Sequence, residues 1–132
     1  MKIYNYTPGG NPTSLIENLK LKINKNSYQK IANQLLNNSI EQVGFITQGI
    51  KTKYKLEMMG GEFCINALRC LGKWIYDIDK KSSIIVECSG TKSLIELNLE
   101  NWVSIKLKKE FENILINKKE SLILMNGICH FV

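Results

Sequence analysis

Arginine is nearly missing from this chain of 132 residues: Arg69 stands alone, and the other basic residues are lysines. The formal net charge of +6 raises the question of nucleic acid. Phosphate-binding faces, however, rely on the planar, bidentate guanidinium, and here lysines are scattered among Asn and Ile. The densest basic stretches, KTKYK at 51–55 and KLKK at 106–109, alternate with apolar residues as solvated strand faces do. A nucleic-acid partner is therefore not expected. Histidine occurs once, at His130, and the four cysteines (Cys64, Cys70, Cys88, Cys129) have no CxxC spacing, so no metal site is expected. Both prolines fall in the first twelve residues, and no Gly-, Ser- or Pro-rich linker divides the chain. No apolar run approaches the roughly 18 residues of a membrane span. The opening MKIYNYTPGGNP turns polar at once and lacks a signal-peptide core. The expectation is a cytoplasmic protein with reduced thiols and no membrane partner.

A hydrophobic share of 44% and a length of 132 residues suffice for one domain with a real core. KIYNY (2–6), TSLIEN (13–18), QVGFIT (42–47), YKLEM (54–58), SIIVEC (83–88), SLIELNLE (93–100), WVSIKLK (102–108) and SLILMN (121–126) read as strands. Ser27 is placed to cap a helix over 28–37, with Tyr28, Ile31, Ala32 and Leu35 on one face. The strongest helix runs from Cys64 to about Asp79, where Cys64, Leu68, Leu71, Ile75 and Ile78 form a stripe widened by Ala67 and Trp74. Short turns between successive strands, among them Ser89-Gly90 and Glu100-Asn101, favour antiparallel pairing. The predicted fold class is α+β: a curved, mostly antiparallel sheet or barrel around a buried central helix. NKKES (117–121) is a polar turn that fits either a hairpin or a hand-over between domains.

The stretch MMGGEFCINALRC (58–70) carries the chemistry. A strand ends near Met58 or Met59, Gly60 and Gly61 turn the chain, and a helix begins at or near Cys64. The first N–H groups of a helix lack intrahelical acceptors and favour negative charge. Those after Cys64, on Ile65, Asn66 and Ala67, could hold a carboxylate, and they would favour the thiolate beside them. A base and an anion site would then lie side by side. The competing reading is packing, with Gly60-Gly61 a plain turn and Cys64 the first core residue of the helix.

These residues resemble the active-site segment of the diaminopimelate epimerase superfamily, in which a cysteine at a helix start is followed by Gly-Asn and a small residue. GGNPT (9–13) resembles the family's N-terminal Gly-Asn turn. EQVGFI (41–46) and MGGEFC (59–64) look like the subgroup that includes cofactor-independent histidine racemases. MNGICHFV (125–132) resembles the motif that opens the second half of the family's chain. The resemblance implies an amino-acid racemase or epimerase that uses no cofactor. Its two cysteines would face each other across the substrate α-carbon, one from each of two similar domains. It implies that Cys64 is one acid/base thiol, that Asn66 and the N–H groups through Ala67 hold the carboxylate, and that Asn11 touches substrate. It also places Gln42, with Glu41, near the site.

The chain departs from that pattern in two places. Ile65 stands where the family has Gly, and a β-branched residue resists positive φ and crowds the backbone. No second cysteine stands at a helix start. Cys70 lies six positions past Cys64 on the helix, about 120° away in direction, and Cys129 belongs to the strand-opening motif. The expected organisation is an N-terminal epimerase-like domain at 1–118, then crossover strands at 119–132 that begin a second domain. The second cysteine would come from a partner chain supplying that domain or from a homodimer, and the ligand would be a free amino acid. The alternative is a non-catalytic small-ligand or interaction module of the same fold.

Overall fold

The computed structural model describes residues 1–100 and 103–106, together with the strands at 111–115, 121–125 and 128–131. Seven strands form one mixed sheet in sequence order: β1 (Ile3–Tyr6), β2 (Thr13–Glu17), β3 (Gln42–Thr47), β4 (Lys55–Met58), β5 (Ser83–Cys88), β6 (Ile95–Asn98) and β7 (Ser104–Lys106). Antiparallel pairs join β1 to β2, β3 to β4, β5 to β6 and β6 to β7. The pairs β2–β3 and β4–β5 are parallel, which reading successive strands as hairpins does not anticipate. Each is bridged by a helix: α1 (Tyr28–Leu35) after β2 and α2 (Ile65–Asp79) after β4. A parallel pair needs such a crossover, so the two helical segments dictate the two parallel pairs. A second sheet holds β8 (Phe111–Leu115), β9 (Ser121–Met125) and β10 (Ile128–Phe131), paired antiparallel in the order β10-β9-β8. The turn expected at NKKES lies, apart from Ser121, outside the described residues. So do Asn101 and, of the strand expected over 102–108, Trp102, Leu107 and Lys108.

Strand alternation splits the core in two. Leu15, Ile46, Leu56 and Met58 face α2 and pack on Leu68, Leu71 and Ile75. Ile16, Val43 and Phe45 point the other way, where Tyr28 and Ala32 of α1 cover them. Phe45 and Tyr28 stack with ring centroids 3.7 Å apart. Tyr4 and Tyr54 meet Trp74 edge-on. Ala67, Leu68, Cys70, Leu71, Trp74 and Ile75 are buried, so α2 is the central helix, but Ile78 near its C-terminus is 50% exposed and leaves the expected stripe.

The expected cap of α1 is corrected. Ser27 makes no capping bond, because Lys25–Ser27 is a 3-10 turn that leaves Ser27 in helical rather than extended geometry. Asn24 caps that 3-10 turn, its Oδ1 accepting from the Asn26 N–H at 2.9 Å, and α1 follows without a side-chain cap of its own. The helix also ends at Leu35 rather than 37, and the next residue is extended. No helix among the described residues is long and apolar enough to cross a membrane.

Candidate active site

Cys64 is the N-cap of α2. It has extended backbone geometry, and its sulfur takes the place of the usual capping oxygen, accepting the Ala67 N–H at 3.4 Å. The first helical bond returns from Leu68 N–H to the Cys64 carbonyl at 3.1 Å. The N–H groups of Ile65 and Asn66 therefore precede the first intrahelical acceptor and point out of the helix end. Ile65 does not distort this geometry. Positive φ among non-glycine described residues occurs only at Lys22 and Lys80, so Ile65 takes an ordinary helical conformation, with its side chain 37% exposed.

The sheet brings the other residues to the same place. Thr13 and Gln42 are register partners at the starts of parallel β2 and β3, on the face that meets α2. The Cys64 thiol donates to Gln42 Oε1 at 3.4 Å. Thr13 is fully buried, and its Oγ1 lies 3.3 Å from Gln42 Oε1 and 2.9 Å from the Asn11 carbonyl. Glu41 and Gln42 both donate backbone N–H to the Pro12 carbonyl, at 2.9 and 3.2 Å. The GGNP turn is thereby fastened to the start of β3. It also lies over α2: a Cβ on Gly10 would run into the Asn66 carboxamide, coming within 3.0 Å of its Oδ1. A side chain at position 10 would displace that carboxamide, so Gly10 leaves the room Asn66 occupies.

Cys64, Gln42, Asn66 and Ala67 thus converge at one helix end, with the turn that carries Asn11 against them. Asn11 itself is exposed, Glu41 is exposed, and Gln42 is partly buried. The Ala67 N–H is taken by the Cys64 sulfur, so the outward-facing donors are those of Ile65 and Asn66.

The other described cysteines are core thiols. Burial pushes Cys70 up to about 11, eased by a hydrogen bond with the Thr13 hydroxyl. Burial pushes Cys88 up to about 12, eased by the Cys64 backbone. Both stay protonated near neutral pH. Cys64, Cys70 and Cys88 are all free thiols. Among the described residues no group of three or more His, Cys, Asp or Glu is placed to hold a metal.

Ser89 and Gly90 belong to the site's support and escaped the sequence reading as anything but a turn. Ser89 Oγ accepts from Met58 N–H at 2.9 Å and donates to the Glu62 carbonyl at 2.7 Å, clamping the segment that leads into Cys64. Gly90, at φ +76°, backs directly onto the peptide between Glu62 and Phe63.

Over residues 1–132 the sequence matches the family described as the histidine racemase CntK N-terminal domain. The chain belongs to this family. It is similar to histidine racemases from two strains of Fusobacterium nucleatum, at 31% and 32% identity over 142 residues, covering 95% of the chain and 51% of each relative. It is also similar to the diaminopimelate epimerase of Methanococcus maripaludis, at 31% identity over 65 residues, covering 48% of the chain and 24% of that protein. The chain spans about half the length of the histidine racemases it matches. Its fold is that of a phenazine biosynthesis PhzC/PhzF protein from Clostridium difficile (TM-score 0.56, 18% identity, 83% of this chain and 43% of that one). A PhzF-family protein from Enterococcus faecalis matches similarly (TM-score 0.54, 14% identity, 83% and 43%). This racemase N-terminal domain is thus a diaminopimelate-epimerase-like α+β unit: a curled mixed sheet with two helices.

Proposed function

We propose that this domain supplies one half of a cofactor-independent amino-acid racemase site, with Cys64 as the proton-transferring thiol and free histidine as the substrate. The observation that carries the reading is the Cys64 sulfur at the N-cap of α2, beside the outward N–H groups of Ile65 and Asn66 and under the GGNP turn. In this scheme the α-carboxylate sits on those two N–H groups. The Cys64 thiolate takes the α-proton and becomes a thiol. The electron pair left on Cα delocalises into the carboxylate, where the same N–H groups stabilise the added charge. A second thiol on the opposite face gives its proton to Cα and becomes a thiolate, which completes inversion. The Asn11 side chain and Gln42 contact substrate from the facing wall.

The second thiol comes from a second domain. Residues 1–118 form the first unit in this reading, and 119–132 are crossover strands leading to the next. The facing domain is either that next unit, in the same or a partner chain, or a second copy arranged by twofold symmetry. Free thiols at Cys64, Cys70 and Cys88 fit a reducing compartment, the cytoplasm. The reading is tested by exchange of the histidine α-proton for deuterium, with Cys64→Ser as the variant that must lose it.

A further inference from the structure

Racemisation requires one cysteine to be a thiolate when it takes a proton and a thiol when it has done so. The hydrogen-bond inventory around Cys64 matches both states. Thr13 Oγ1 carries one hydrogen and faces two acceptors, the Asn11 carbonyl at 2.9 Å and Gln42 Oε1 at 3.3 Å. It can serve only one at a time. When it serves Gln42 Oε1, that oxygen accepts on both lone pairs, from Thr13 and from the Cys64 thiol at 3.4 Å. When it serves Asn11, the Gln42 carboxamide satisfies the same two neighbours by turning over. Its NH2 then donates one hydrogen to Thr13 Oγ1 and the other to the Cys64 sulfur, a bond that is strongest when the sulfur is a thiolate. The Ala67 N–H donates to the sulfur in both arrangements.

We propose that Thr13 is a positioning residue that acts through Gln42: its hydroxyl turns the carboxamide so that Cys64 meets an acceptor when protonated and a donor when ionised. Thr13 is fully buried and has no route to substrate of its own. The inference rests on Cys64 being the acid/base thiol, yet its test needs no turnover.

The sign of the effect follows from the number of bonds Thr13 makes. Beside the thiolate it makes two, to the Asn11 carbonyl and from the Gln42 NH2, and beside the thiol one, to Gln42 Oε1, so loss of the hydroxyl disfavours the thiolate by about one hydrogen bond. The test is alkylation of Cys64 by iodoacetamide in the full chain at neutral pH, followed by peptide mass spectrometry, which resolves Cys64 from Cys70 and Cys88. Thr13→Val, isosteric but without the hydroxyl, is expected to slow Cys64 alkylation roughly three- to tenfold. Thr13→Ser, which keeps the hydroxyl, restores the rate to within about twofold of the parent. Gln42→Leu slows alkylation at least as much as Thr13→Val, and adding Thr13→Val to Gln42→Leu slows it no further. Circular dichroism melts show whether any variant has lost its fold, and Thr13→Ser provides the comparison if Thr13→Val has. An unchanged rate in a folded Thr13→Val, a Thr13→Ser as slow as Thr13→Val, or a full additional loss in the double variant would each overturn the proposal. Absence of histidine exchange in the parent chain, with this alkylation pattern intact, would count against the proposed function and leave the Thr13–Gln42 coupling standing.

Discussion

Gly61 and Gly90 offer a controlled comparison of backbone strain with packing. Their φ values are nearly equal, +75° and +76°, so an alanine at either site carries the same left-handed penalty, about 1–2 kcal/mol. Their surroundings differ. A Cβ at Gly61 meets nothing within 4 Å, whereas one at Gly90 overlaps the Phe63 amide nitrogen and comes within 2.7 Å of the Glu62 carbonyl carbon and 2.9 Å of Phe63 Cα. All three are backbone atoms that no rotamer change can move, and Ser89 Oγ bolts the same segment to β4. Overpacking of this kind costs about 1–3 kcal/mol beyond the strain. For a chain of this length each kcal/mol shifts the melting temperature by roughly 4 °C. Gly90→Ala should therefore melt roughly 4–12 °C below Gly61→Ala, read by circular dichroism at one scan rate. It should also loosen the approach to Cys64, so that Cys64 alkylates at a different rate in Gly90→Ala and at the parent rate in Gly61→Ala. Equal melting temperatures for the two variants would refute the claim that the Ser89–Gly90 turn props the cysteine loop.

Two further outcomes concern stability. Burial alone would raise the Glu57 carboxyl, but hydrogen bonding and charge from Lys55 at 2.7 Å, with Lys25 at 3.4 Å, hold it below the ordinary carboxylate value. A lowered folded value stabilises above the unfolded one and is lost as pH falls through the folded one, so the chain should lose stability below about pH 4.5. Glu57→Gln should be weaker at pH 7 and show a shallower acid limb in urea titrations; an acid limb of unchanged steepness would contradict the assignment. Asn18 holds the chain ahead of α1, its Nδ2 donating to the Tyr28 hydroxyl at 3.1 Å and the Ile23 carbonyl at 3.2 Å, and its Oδ1 accepting the Ile23 N–H at 2.8 Å. Asn18→Leu strands those partners and should cost about 1–3 kcal/mol in urea midpoint at constant slope, whereas a neutral result would mean that water replaces the bonds.

Features encoded locally were legible in the sequence. The helix after Cys64 announces itself by spacing and by the glycines before it, and β3 and β5 fall within the bounds their composition suggests. What depends on non-local pairing was not. Thr13 lies inside the quoted GGNPT turn, yet its role appears only when parallel pairing sets it opposite Gln42. Ser89 and Gly90 read as a plain turn until β5 is laid beside β4, which brings them behind Glu62 and Phe63. The Ser27 cap failed for a local reason: Asn24 competes for the same turn with a side chain that reaches Asn26. Ile78 lies in the apolar stripe by spacing yet stands half exposed in the fold, since periodicity marks a helix face and not the depth at which each residue on it is covered.

The central claim is that Cys64 at the N-cap of α2 is a base poised over an amino-acid α-carbon. It is tested most directly by incubating the chain with L-histidine in D2O and following the α-proton signal by NMR, with Cys64→Ser alongside. Exchange needs one working base, so the account predicts loss of the signal with the parent chain and its persistence with the variant. Chiral analysis of the product then separates one-sided exchange, which leaves L-histidine, from racemisation through a second thiol on a facing domain. An α-proton signal that persists in both samples, or that decays equally in both, would contradict the claim.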